Sequence, residues 1–116
     1  MPKLTKETKR PTERLSSRLS VPFSICFRYK LQNGYTFSDL DKHQLREFQA
    51  FLNLASQMSF EQVERRYRRK SDTNDTFCGS QVIHYGIGEV FRIHGIIEEA
   101  QFVVLRLDPT HKYHKE

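Results

Sequence analysis

The chain has no tryptophan, two cysteines, four prolines and five glycines in 116 residues. Cys26 and Cys78 stand far apart, in no metal or redox spacing, so both are expected as reduced thiols. Cys26 lies in an apolar strand pattern, where a thiol behaves as a small hydrophobe. No apolar run approaches the roughly 20 residues that a membrane helix needs. The basic N-terminus lacks the apolar segment of a secretory signal, and a cytoplasmic protein is expected. There is no glycine-rich phosphate loop and no Ser or Cys nucleophile motif. Residues 71–80 are polar but lack the Gly and Glu positions of a calcium loop. His111 and His114 are three apart in a terminal tail, without the Asp, Glu or Cys company of a metal site. No metal and no cofactor is therefore expected. Repeats and low-complexity tracts are also missing.

What is present is charge and phenylalanine. The formal charge is +5, and nine Phe and five Tyr stand in a chain that is 37% hydrophobic. The sequence pI is about 9.4. Such a balance favours an acidic partner such as nucleic acid and says nothing about fold. The length fits one domain with a modest core. Residues 1–20 read as a flexible basic arm, in which Lys3, Lys6, Lys9, Arg10, Arg14 and Arg18 outnumber Glu7 and Glu13. A segment so poor in apolar residues cannot offset its ordering entropy. It is either an arm for RNA, DNA or an acidic protein, or a solubilising terminus. Residues 21–116 are expected to form a single domain.

Within that domain, residues 23–31 alternate as a strand, with Phe23, Ile25, Phe27 and Tyr29 on one face. Asn33-Gly34 marks a turn. Ser38 fits a helix N-cap, and Leu45, Phe48, Phe51, Leu52 and Ala55 then follow helical spacing to about Gln57. Ser59 and Gln62 form a capping-box pattern, and Met58 and Val63 sit at staple positions. The second helix should bury Phe60, Val63 and Tyr67 and end in Arg65, Arg66, Arg68, Arg69 and Lys70. Five cations in six positions exceed what a helix C-terminus requires, so phosphate contact is weighed against a solvated face. Residues 81–87 read as a strand, broken by Gly86 and Gly88 before a final hairpin.

That hairpin, residues 89–116, organises the rest. With Glu98, Glu99 and Ala100 as its loop, Ile93 faces Leu105 and Arg92 faces Arg106, with His94 beside them. Opposed like charges in a sheet are unfavourable unless they splay into water or hold an anion. The order is β-α-α-β-β-β: an α+β fold, a small antiparallel-rich sheet with two helices on one face and the other partly open.

This order, the basic pI and a C-terminal hairpin carrying Arg on a strand resemble the RelE/ParE-type toxins of bacterial toxin–antitoxin systems. Phe91-Arg92 resembles the aromatic-Arg step of their penultimate strand, and His111-Lys112-Tyr113 their basic, Tyr-containing end. The Leu107-Asp108-Pro109-Thr110-His111 step departs from that pattern. The resemblance implies a metal-independent endoribonuclease acting on messenger RNA at the ribosome, and an antitoxin partner. It implies Arg92 and Arg106 as phosphate stabilisers, His94 and His111 as general base and acid, and Tyr113 stacking on a base or assisting proton transfer. Lys112 would add a cation, and Arg65, Arg66, Arg68, Arg69 and Lys70 would hold the RNA backbone. The competing reading is a binding module of a mobile element, which explains the charge equally well and needs no paired acid and base.

Overall fold

A computed structural model describes residues 20–113. The expected basic arm, apart from Ser20, lies outside the described residues, as does the tail from His114 onward. The fold is α+β. Among the described residues, seven strands and two α-helices follow in the order β1 (Ile25–Cys26), α1 (Lys42–Ala55), α2 (Phe60–Tyr67), β2 (Arg68–Arg69), β3 (Thr76–Phe77), β4 (Ser80–Gln81), β5 (Ile83–Gly86), β6 (Arg92–Glu98) and β7 (Gln101–Asp108). Five strands form a mixed sheet in the order β1-β7-β6-β5-β2, and β3-β4 is a separate hairpin. The expected first strand over residues 23–31 shrinks to β1, which pairs parallel with β7.

Both helices begin where side chains satisfy the orphan N–H groups. Asp41, not Ser38, caps α1 by accepting from Gln44 N at 2.8 Å; Phe37–Asp39 is instead a single 3₁₀ turn. Ser59 and Gln62 close the capping box of α2. The helices lay Phe48, Phe51, Phe60, Val63 and Tyr67 against Tyr85, Phe91, Ile93 and Phe102 of the sheet layer, forming the main core. Each such buried side chain contributes about 1.5–3 kcal/mol. Leu45, expected inward, is exposed, because the core-facing stripe of α1 runs through Phe48, Phe51 and Ala55. A smaller cluster of Val82, Ile96, Val103 and Leu105 lies apart from the main core, with Tyr29 and Phe77 packed against it.

The final hairpin corrects the expected register. Its loop is Glu99-Ala100 alone, because Glu98 pairs with Gln101. Both loop residues have positive φ, 53° and 63°, as a two-residue primed turn demands. Arg28 braces this strained acidic turn, donating to Glu98 at 2.7 Å and Gln101 at 3.0 Å. The register then slips between His94 and Gly95: Gly95 pairs with Val104, His94 with Arg106, Ile93 with Leu107 and Arg92 with Asp108. Leu105 is the extra residue of a β-bulge. Gly95 makes the bulge possible, since a Cβ there would sit 2.3 Å from the Val103 carbonyl oxygen. The expected Arg92–Arg106 and Ile93–Leu105 pairs do not form. One inserted residue turns Leu107 into the core and leaves Arg106 beside His94.

Candidate functional site

Six polar side chains of the sheet fall in two rows on one face. Register pairing runs Arg69–His84–His94–Arg106 across β2, β5, β6 and β7, and Gly86–Arg92–Asp108 beside it. Directly paired residues share a face, so these groups are neighbours. Sequence order conceals this, because β2 and β7 stand at opposite sides of β5 and β6.

Arg106 is buried, and its guanidinium is fully engaged. Its Nε donates to His94 Nδ1 at 2.8 Å, one terminal nitrogen to Gln32 Oε1 at 3.2 Å and the other to Asp75 Oδ2 at 2.5 Å. Tyr113 covers the plane, its ring centroid 3.6 Å from the Arg106 Cζ. This is a charge-assisted network in which every nitrogen of the fork donates. It holds Arg106 in place, with each of its three nitrogens bonded within the fold.

His94 is 0% exposed, and its ring stacks on His84 at 3.7 Å with 9° between planes. Because Nδ1 accepts from Arg106, this arrangement requires the neutral ring with its proton on Nε2. Nε2 lies 3.9 Å from Asp108 Oδ2, too long for a hydrogen bond. A general base offers a lone pair to substrate, and the Nδ1 lone pair of His94 is already directed at Arg106. Asp108, also 0% exposed, anchors the chain end by accepting from the backbone N–H groups of Lys112 and Tyr113, both at 2.9 Å. His111 lies in that turn with φ 56°, its backbone N–H bonded to the Asp108 carbonyl at 3.3 Å. The turn uses the backbone of His111 and seats Tyr113. Lys112 Nζ lies 5.1 Å from the Tyr35 ring centroid.

The expected arginine cluster divides. Arg65 pairs with Glu61 at 2.6 Å and Arg68 with Glu64 at 2.7 Å, each four residues apart, so much of their charge is balanced locally. Arg68 ends α2 with extended dihedrals, and the chain passes straight into β2. Arg68 and Arg69 are therefore strand residues, with Arg68 also the C-cap of α2. Arg66, Arg69 and Lys70 are exposed. Among the described residues, neither Arg69 nor Arg92 makes an ion pair with a carboxylate. Arg69 donates from one terminal nitrogen to the Arg66 and Arg68 carbonyls, at 3.5 and 3.2 Å. Arg92 does likewise to the Gly88, Glu89 and Phe91 carbonyls, at 3.3, 3.5 and 3.3 Å. Partial burial, and then the nearby charge of Arg69, lower the pKa of Arg92 against the opposing pull of Asp108.

A cleft of about 230 Å³ opens beside the network, bordered by Lys30, Gln32, Asp75, Phe77 and Arg106. Asp75 and Gln32 were not singled out in the sequence, since both lie in loops whose return to Arg106 is a tertiary fact. Gly95 and Gly86 did carry a signal. A glycine inside a strand pattern marks a bulge or a close approach.

No family model, curated protein or solved structure matches the chain. The residues themselves therefore carry the functional argument. Among the described residues no helix is long and apolar enough to cross a membrane.

Proposed function

We propose that the protein binds single-stranded RNA through the basic edge formed by Arg66, Arg69, Lys70 and Arg92, and that binding, without strand scission, is its activity. The observation that carries this reading is the open guanidinium edges of Arg69 and Arg92. Such forks match phosphate oxygens bidentately. Charge distribution supports it too. The whole chain is +5, and residues 1–19 hold six Lys or Arg against two Glu, so they supply four of those five charges. The described fold is close to neutral, so attraction to a polyanion within it must be local. Exposed Phe27 and Phe37, with rings 5.5 Å apart, offer faces on which unpaired bases stack.

The toxin-like endoribonuclease reading, with its antitoxin partner, needs a general base and acid converging near Arg92. The engagement of His94 Nδ1 by Arg106 and the burial of its ring make the binding reading the better supported one. Fluorescence anisotropy with a short labelled RNA, across a salt series, tests both. Binding should weaken with salt, and Arg66→Ala/Arg69→Ala/Arg92→Ala should reduce the log–log salt slope by about 2. RNA recovered afterwards should be intact on a denaturing gel. An unchanged slope sinks the proposed interface; cleavage by the wild type, lost in His94→Ala, restores the nuclease reading. Equal affinity for single-stranded DNA of the same sequence would remove the preference for RNA.

A further inference from the structure

Gly86 is buried in β5, and the space where a side chain would stand is taken by Arg69. A Cβ added to Gly86 would lie 2.8 Å from Arg69 Nε and 3.1 Å from both Cγ and Cζ. The Arg69 side chain thus crosses over Gly86 at this point. Gly86 is also the register partner of Arg92, so the Arg92 side chain leaves the same face directly beside it. Two arginines from non-adjacent strands are brought together by the absence of one side chain.

Their hydrogen bonding leaves them poised alike. The bonds of Arg69 and of Arg92 run from one terminal nitrogen, Nη1, to backbone carbonyls. Among the described residues, the Nε and Nη2 edge of each makes no hydrogen bond. That edge is the one guanidinium groups use to grip an oxyanion with two parallel bonds. Asp108 pairs with Arg92 across the sheet, but its two oxygens accept from the Lys112 and Tyr113 backbone N–H groups. Glu47 approaches the adjoining loop at Gly88 from α1, in the helix layer.

We propose that Arg69 and Arg92, meeting over Gly86, form a site for a phosphate monoester dianion. Two guanidiniums match the charge of roughly −1.5 to −2 that a monoester carries near neutral pH. An internal phosphodiester, with one charge, satisfies only half of the pair. The ligand is inorganic phosphate or the 5′-phosphate end of an RNA. The site rests on the RNA-binding reading only for the second of these sources.

The test follows the arginine Nε–H signals of the full chain by ¹H–¹⁵N NMR during titration with inorganic phosphate, then with 5′-phosphorylated and 5′-hydroxyl RNA of one sequence. The Arg69 and Arg92 signals should shift together and saturate with phosphate. The 5′-phosphorylated RNA should bind at least about fivefold tighter than the 5′-hydroxyl form. Gly86→Ala keeps the formal charge but displaces Arg69, and should abolish the saturable response. Arg69→Gln, at an exposed position, should do the same without threatening the fold. A non-saturating response in the wild type overturns the site, as does wild-type phosphate affinity in folded Gly86→Ala. If Gly86→Ala does not fold, Arg69→Gln decides, and unchanged affinity there overturns the site. RNA binding that ignores the 5′-phosphate, with no phosphate response, removes the site and leaves the RNA reading standing. Saturable phosphate binding with no RNA binding removes the RNA reading and leaves the site, with free phosphate as its ligand.

Discussion

Arg92 and Arg106 stand on neighbouring strands and face the same way, yet they are opposite kinds of arginine. Arg106 donates from every nitrogen, to His94, Gln32 and Asp75, and sets its face on Tyr113. Arg92, with Arg69 beside it, rests on backbone carbonyls through one nitrogen. The difference teaches that a strand arginine says little about function until its hydrogen bonds are counted. A saturated fork stabilises the fold, whereas an open fork can receive a ligand.

The comparison breaks most visibly under urea. Arg106→Ala removes the guanidinium that Asp75, Gln32 and His94 share and should cost about 3–5 kcal/mol. If that loss instead matched the effect of Arg92→Ala, the distinction would be wrong. Tyr85 extends the rule to the helix side. Its hydroxyl donates to Glu64, which also pairs with Arg68, and the ring is fully buried. Tyr85→Phe should cost about 1–2 kcal/mol. Burial first, and then the bond to Glu64, hold the Tyr85 pKa above its ordinary value of about 10. Above that pH the unfolded chain releases a proton that the fold retains, so this contribution to stability declines as pH rises. Tyr85→Phe should flatten the alkaline decline; equal slopes in both proteins would contradict the assignment.

Smaller effects sharpen the contrast. Tyr113→Ala removes the aromatic cover of Arg106 and should cost about 1 kcal/mol in chemical denaturation. A loss near zero would mean that the chain end is not part of the closed network. Arg92→Ala should leave stability within about 0.5 kcal/mol of the wild type. A large loss there would make Arg92 structural as well, and would weaken the open-site argument for this edge.

Several elements were legible because their causes are local. The capping box at Ser59 and Gln62 and the inward positions Phe60, Val63 and Tyr67 stand as read. Each depends on residues within two helical turns. The hairpin was legible in existence but not in register. Glu99-Ala100 lacks the Asn or Gly that announces a two-residue turn, and the fold accepts positive φ there with Arg28 bridging to Glu98. Gly95 inside a strand was the available clue to the bulge. Of the expected site, Arg106, His94 and Tyr113 do come together, but in a network that occupies Arg106. Arg92 instead meets Arg69, which looked like the end of a helix.

By itself the sequence determined the α+β class, two amphipathic helices and the concentration of positive charge near the N-terminus, since spacing, capping and composition act over short range. Only the tertiary structure decided which arginines are closed and which are open. That depends on a single inserted residue at Leu105, which resets the pairing beyond it, and on the missing side chain at Gly86, which lets Arg69 cross the sheet. Both are contacts between strands, and strand order is set by packing rather than by position along the chain.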